Sequence, residues 1–190
     1  MTQPKATSSI IFNIQAGKSI GDICLGDSLH KISPYIQAEG TPSDYQKEYE
    51  VFENYGYKPL DYLQFHIGFD YVQVFDEADK PAYPIFKLYF KNEALVFMII
   101  TSYGSDIFNL AACQRMFTEK NIAFGSSIAD FTRVYGDNYA QHVYGTYNGD
   151  FIYPEQGISF IADEGVVRVI RLFQPMNGAE SQAVRDKYAI

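Results

Sequence analysis

Apolar and polar positions along this 190-residue chain form a pattern that is stated twice. The stretch Ile23-Cys24-Leu25-Gly26-Asp27-Ser28-Leu29 returns as Ile122-Ala123-Phe124-Gly125-Ser126-Ser127-Ile128, with Gly26 answered by Gly125. Each copy reads as a short extended segment, a glycine that breaks it, and an Asp or Ser whose oxygen can accept from an orphan N–H in the first turn of a helix. The helices that follow match too. Leu29, Ile32, Tyr35 and Ile36 correspond to Ile128, Phe131, Val134 and Tyr135, a spacing that makes one buried stripe. The first helix should start at Asp27 or Ser28, weaken at Pro34 and end by Gly40; Gly136 should end the second as a left-handed cap.

Other elements follow from the same reading. Residues 8–14 (Ile10, Ile11, Phe12 and Ile14) predict a strand, Gly17 a turn, and 19–25 an extended segment. Leu63, Phe65, Ile67 and Phe69 alternate, as do Tyr71, Gln73 and Phe75, which predicts one or two strands with a single buried face and His66 on the solvent side. Residues 85–90 and 95–101 flank Lys91-Asn92-Glu93-Ala94 as a hairpin, echoed by 157–161 and 166–173 around Ala162-Asp163-Glu164-Gly165. The pattern aligns Phe90 with Ile161, Leu95 with Val166 and Val96 with Val167. Ile107, Leu110, Ala111 and Phe117 predict a linking helix over 105–118, Asn148-Gly149 a tight turn between strands 144–147 and 150–153, and 179–188 a terminal helix.

The expected fold class is α+β: two tandem helix-plus-antiparallel-sheet repeats. The first α/β unit spans 1–102 with an insertion at 37–83, the linking helix lies within 103–120, and the second unit spans 121–190. Gly26 lies farther from Gly125 than Leu95 lies from Val166, so the first copy holds extra chain between its helix and its closing hairpin.

Charge gives that insertion its interest. The whole chain has a net charge of −8, which opposes nucleic-acid phosphates and anionic membranes and favours a basic partner. Between 37 and 83 ten acids (Glu39, Asp44, Glu48, Glu50, Glu53, Asp61, Asp70, Asp76, Glu77 and Asp79) meet three bases (Lys47, Lys58 and Lys80), so −7 of the −8 lies there, together with seven tyrosines. Acidic loops are commonly no more than solvated. As a recognition surface, carboxylates would steer a basic protein in while tyrosines supply rigid contact area. The candidate partner-binding residues are Asp44, Tyr45, Glu48, Tyr49, Glu50, Glu53, Tyr55, Tyr57, Asp76, Glu77 and Asp79.

Catalytic and metal motifs are missing. Cys24 before a helix start, with His30 in the same segment, could pair a nucleophile with a base, but the second copy has Ala123 and Ala129 there, and packing is the plainer use. His30, His66 and His142 are scattered, with neither H-x-x-x-H nor C-x-x-C, and Asp76-Glu77-Ala78-Asp79 lacks the glycine and terminal glutamate of an EF-hand. No catalytic residue, cofactor or metal is expected. Cys24 and Cys113 form no disulfide framework, and the polar N-terminus lacks a signal-peptide core; both indicate a reduced, cytoplasmic setting, with a single bridge left open.

The repeated Ile-x-Leu/Phe-Gly-x-Ser-Leu/Ile start, the amphipathic helix and the closing hairpin resemble the tandem α/β units of beta-lactamase inhibitor protein and of small outer-membrane assembly lipoproteins. The chain lacks the paired cysteines of the first and the lipobox of the second, so neither relative's location carries over. An acidic, Tyr-rich chain with Ile10-Ile11-Phe12-Asn13-Ile14 and Gly17-Lys18-Ser19-Ile20-Gly21 is also similar to immunity proteins of bacterial contact-dependent growth inhibition systems. That resemblance implies a non-catalytic protein that neutralises a basic toxin, such as a nuclease, with an acidic face over its active cleft. Two alternatives stand beside it: a scaffold or assembly module using a sheet edge, and a small-ligand protein with a pocket between the units.

Overall fold

The computed structural model describes residues 13–32, 41–44, 62–75, 86–102, 116–143, 146 and 148–188. The chain enters through strands β1 (Asn13–Gln15), β2 (Ser19–Ile20) and β3 (Ile23–Cys24) and helix α1 (Leu29–Ile32). Strand β4 (Thr41–Asp44), helix α2 (Tyr62–Ile67) and strand β5 (Tyr71–Phe75) lead to the hairpin of β6 (Phe86–Lys91) and β7 (Ala94–Thr101). Then come β8 (Phe117–Thr118), α3 (Ile128–Tyr135), β9 (Ala140–Val143), β10 (Gly149–Tyr153), a 3-10 turn (Pro154–Gln156), β11 (Ile158–Asp163), β12 (Val166–Phe173) and α4 (Gly178–Tyr188). The fold is α+β, with a small mixed sheet ordered β3-β2-β1-β8 and a large antiparallel sheet ordered β4-β5-β6-β7-β12-β11-β10-β9.

The order of the large sheet reads the same from either edge, and so does its register. Thr41 pairs with Val74 and Asp44 with Tyr71, as Ala140 pairs with Ile152 and Val143 with Gly149. Tyr71 then pairs with Phe90 and Phe75 with Phe86, as Gly149 pairs with Ala162 and Tyr153 with Ile158. Both closing hairpins use two residues at positive φ, Asn92 and Glu93 in one, Glu164 and Gly165 in the other, the twist a two-residue loop needs. Each hairpin has a register shift at the same place, between Tyr89 and Phe90 and between Ile161 and Ala162. The helix starts match as well: Gly26 N donates to Leu95 O (2.7 Å) and Gly125 N to Val167 O (2.9 Å), while Ser28 and Ser127 bridge to Ala94 and Val166.

This register corrects the hairpin alignment read from the sequence. Leu95 stands where Val167 stands, not Val166, and Phe90 where Ala162 stands, not Ile161. A slip of one residue in a strand exchanges its two faces, which makes the difference structural. The extra length of the first half divides between two connections. The β4–β5 connection, 45–70, is several times as long as its counterpart 144–148, and the β5–β6 connection, 76–85, is more than twice as long as 154–157.

Two apolar clusters lie on the two faces of the large sheet. On one, α1, α3 and the small sheet cover Leu88, Phe90, Met98, Ile100, Phe151, Phe160, Ile170 and Leu172, with Ile32 and Phe131 buried. Phe131 stacks on Phe160 at 4.9 Å and meets Phe151 edge-on at 5.0 Å. On the other, α2 and α4 bring Leu63, Val184 and Tyr188 onto Val72, Tyr89, Phe97, Ile152 and Phe173. Ser127 caps α3 in a reciprocal box with Asp130: the Asp130 N–H donates to the Ser127 hydroxyl (3.2 Å) and the Ser127 N–H to the Asp130 carboxylate (3.1 Å). Ser127→Ala is therefore expected to cost about 1 kcal/mol, read as a lower urea midpoint at neutral pH. The Ser127 hydroxyl, then its N–H, holds the Asp130 carboxyl below its ordinary value. The wild-type advantage should be complete above about pH 4, the unfolded carboxylate range, and fade as pH falls through the lower folded value.

Several sequence expectations change. Residues 63–67, expected as a strand, are helix α2: Leu63 and Ile67 lie one turn apart and both pack into the second cluster, so His66 sits on a helix and is only half-buried. Phe117 and Thr118, placed at the end of a linking helix, pair with β1 as β8; 103–115 lie outside the described residues. Asn148-Gly149 is not the turn. Gly149 begins β10, where a Cβ would press at 3.2 Å on His142 O and the Phe151 ring, and Asn148 Oδ1 accepts from Glu164 N at 2.8 Å. The strand before it is 140–143 rather than 144–147. Gly136 has φ 89° but ψ −179°, so it ends α3 outside the left-handed region, its N–H donating to Thr132 O at 2.8 Å. The expected 19–25 segment is β2 and β3 folded about Gly21, and the terminal helix forms as 178–188. Residues 8–12, Pro34 and the end of the first helix lie outside the described residues.

Candidate functional site

Of the residues singled out for partner binding, Asp44 alone is described, and by its backbone: it closes the edge strand β4 opposite Tyr71. Tyr45, Glu48, Tyr49, Glu50, Glu53, Tyr55 and Tyr57 lie outside the described residues, in the connection that leaves at Asp44 and returns at Tyr71; so do Asp76, Glu77 and Asp79, in the connection from Phe75 to Phe86. These connections join opposite ends of the five-residue strand β5, about 13–17 Å apart at the usual rise per residue. Both start or end on β5, the strand next to the edge strand β4. Asp70, counted among the insertion's acids, has a structural use: its carboxylate accepts from Asn92 N at 2.6 Å and its N–H donates to Phe90 O at 2.7 Å, tying α2 and β5 to the β6–β7 turn.

A second polar group sits inside the sheet. Arg171, 1% exposed, donates through Nε to Ser159 Oγ at 2.7 Å and pairs through Nη2 with buried Asp150. Its strand neighbour is Ile99, and by the matching registers the first-half equivalents of Arg171, Asp150 and Ser159 are Ile99, Val72 and Lys87. The ion pair therefore belongs to one half only. The sequence reading passes over it, although a lone Arg in the apolar run Val169-Ile170-Arg171-Leu172-Phe173 and a lone Asp in Gly149-Asp150-Phe151 are signals.

At the far edge a groove of about 520 Å³ runs between β9 and α4, lined by Tyr139, Ala140, Gln141, His142, Val143, Arg185 and Tyr188. The Arg185 guanidinium grips both oxygens of Glu155 (2.7 and 2.6 Å) and its Nη2 also donates to Asn138 O at 3.4 Å. These hydrogen bonds hold the Glu155 carboxyl below its ordinary value. The Arg185 Nε–H is buried and has no partner. Tyr188 fixes the groove floor, its hydroxyl accepting from Leu63 N at 3.2 Å, and the His142 ring lies 6.1 Å from the Tyr188 ring.

Other candidate chemistry does not assemble. The Cys24 thiol points to Asp22 O at 3.9 Å, and Cys24 N donates to the Asp27 carboxylate at 3.0 Å, a turn contact repeated by Ala123 N to Ser126 Oγ at 3.0 Å. Lys120 lies 4.2 Å over the Tyr135 ring, and burial pushes the Tyr135 and Tyr153 phenols well above their ordinary value, so both stay neutral. Among the described residues no cluster of three His, Cys, Asp or Glu could hold a metal ion, and no helix is long and apolar enough to cross a membrane. The chain matches no known protein family, no curated protein and no solved structure.

Proposed function

We propose that the chain is a duplicated α/β unit whose first copy carries an acidic, tyrosine-rich insertion for binding a basic protein. Its most concrete form is an immunity protein that covers the active cleft of a cationic toxin domain without doing chemistry itself. Support for the duplication is the identity of register in the two half-sheets, together with the matched helix starts, turns and shifts. The observation that carries the functional reading is the placement of the extra length. All of it falls in the two connections of β5, at one edge of the sheet, within the segment that holds −7 of the net −8. The second half builds the same sheet without that length; α2 within it packs Leu63 into the core, which leaves 45–61 and 76–85, with Glu48, Glu50, Glu53, Asp61, Asp76, Glu77 and Asp79, as the part for recognition.

Capture on the immobilised protein from the lysate of its own cells at low salt, with elution by rising salt, is expected to release a cationic protein. Reversing charge in the triple variant Glu48→Lys, Glu50→Lys, Glu53→Lys should then slow association with that protein on the order of ten-fold or more and flatten its salt dependence, with dissociation changed less. Unchanged association kinetics, or a partner that stays bound through the salt gradient, would remove the insertion from the interface.

A further inference from the structure

Asn-Gly occurs twice in the chain, at Asn148-Gly149 and at Asn177-Gly178. The pair carries chemistry of its own. Asparagine is a thermolabile side chain, most of all before glycine, where no Cβ keeps the following nitrogen from reaching the amide carbon Cγ. The fold treats the two copies differently. Gly149 is buried and paired on both sides, with Val143 of β9 and Ala162 of β11, and the place of its missing Cβ lies 3.2 Å from His142 O and from the Phe151 ring. Asn148 is tied as well, its Oδ1 accepting from Glu164 N at 2.8 Å. Asn177 and Gly178 are both exposed, at the start of α4. Asn177 Oδ1 accepts from the N–H groups of Ala179 (3.0 Å) and Glu180 (3.1 Å), and its own N–H donates to the Glu180 carboxylate at 3.0 Å. A Cβ on Gly178 would meet nothing within 4 Å.

From this contrast we infer that Asn177-Gly178 is a modification site, the place where the folded chain deamidates, while the fold shields Asn148-Gly149. The Gly178 nitrogen attacks Cγ of Asn177, the Cγ–Nδ2 bond breaks, and ammonia leaves with the amide proton, which closes a cyclic imide. Water then opens the ring. Cleavage at Cγ gives aspartate; cleavage at the main-chain carbonyl gives isoaspartate, whose backbone runs through the former side chain. One water enters and one ammonia leaves, and nothing is oxidised or reduced. At 177 the reaction requires only that the exposed first turn of α4 open, whereas at 148 it requires that β10 part from strands on both sides. The Gly178 nitrogen must also lose its proton to attack, and the positive end of α4 favours the resulting anion. The two products differ in consequence. Aspartate still accepts from Ala179 and Glu180 and places a negative charge at the favourable end of the helix, whereas isoaspartate displaces the capping oxygen from the turn that leads to buried Ser181 and Val184.

The test incubates the full chain, folded and in urea, in mildly alkaline buffer. Digestion then follows the gain of one mass unit in the peptides that hold 148 and 177, with isoaspartate read by methyltransferase labelling. In the folded chain 177 should convert ahead of 148 on the order of ten-fold or more, and urea should erase most of that difference. Gly178→Ala adds a Cβ into open space at a position without positive φ, so the variant keeps its fold; it should slow conversion at 177 and leave 148 unchanged. Equal rates at the two sites in the folded chain, or conversion at 148 first, would overturn the proposal. So would a preference for 177 that persists undiminished in urea, a folded chain intact at 177 after the unfolded chain has fully converted, or a Gly178→Ala variant that converts at 177 as fast as the wild type.

Discussion

Asp150→Ala should destabilise the protein by about 3–5 kcal/mol, because it takes away the carboxylate that pairs with Nη2 of Arg171, a charged side chain only 1% exposed. The first half of the sheet shows how the same position is built without ions: Val72, fully buried, stands where Asp150 stands, and Ile99 where Arg171 stands. The double variant Asp150→Val with Arg171→Ile should therefore recover most of the loss, since removing both charges also removes their desolvation cost. Urea unfolding of the wild type, both single variants and the double variant gives the coupling directly. A double variant as unstable as the sum of the singles would mean that Arg171 and Asp150 act through separate partners, not as a pair.

The position of that pair bears on why the sheet is continuous. Residues Phe97 to Thr101 run antiparallel to Val169 to Phe173, with Ile99 facing Arg171 at the centre, so the seam between halves is an ordinary ladder flanked by apolar residues on both faces. Such a seam would hold with Ile at both places. An arginine there, bonded to Ser159 and Asp150 on β11 and β10, distinguishes the two halves of a sheet whose register is otherwise the same from either edge. One buried polar group of this kind can fix which strands pair, at some cost in stability.

What could be read from the sequence was local. The hairpins at 86–101 and 158–173 are legible because their turns need residues that tolerate positive φ and their strands are β-branched and aromatic runs. Helix α3 is legible from its cap and stripe. The register shift between Ile161 and Ala162 is not, because apolar residues stand on both sides of it, and it displaces the alignment by one. Helix α2 is easily misread because Leu63 and Ile67 satisfy a period of two as readily as a spacing of four, and what decides is the packing of Leu63 beneath Tyr188, 125 residues away. The groove is invisible for the same reason: it exists only where α4 lands beside β9. Of the acidic segment, the sequence shows the charge, and of the candidate residues only the backbone of Asp44, opposite Tyr71, is described.

Gly157→Ala should cost about 3–5 kcal/mol, far more than the same change at Gly26, although both glycines have positive φ. At Gly26 a Cβ meets nothing within 4 Å, so the variant bears only the backbone strain, about 1–2 kcal/mol. At Gly157, φ 68°, a Cβ would strike the carbonyl oxygen of Phe173, the Cα of Gly17 at 2.6 Å and the N of Pro175 at 3.1 Å, all main-chain atoms that cannot rotate aside. Those segments are tied to it by hydrogen bonds: Gly17 N and Phe173 N both donate to Gly157 O, at 3.2 and 3.0 Å. The insertion of one methyl group thus pries the β1–β2 turn and the end of β12 off the 3-10 turn that carries Glu155. Because Glu155 holds Arg185, the amide signal of 185 should shift together with that of Gly17. A melting temperature for Gly157→Ala equal to that of Gly26→Ala would show that the three segments separate without penalty.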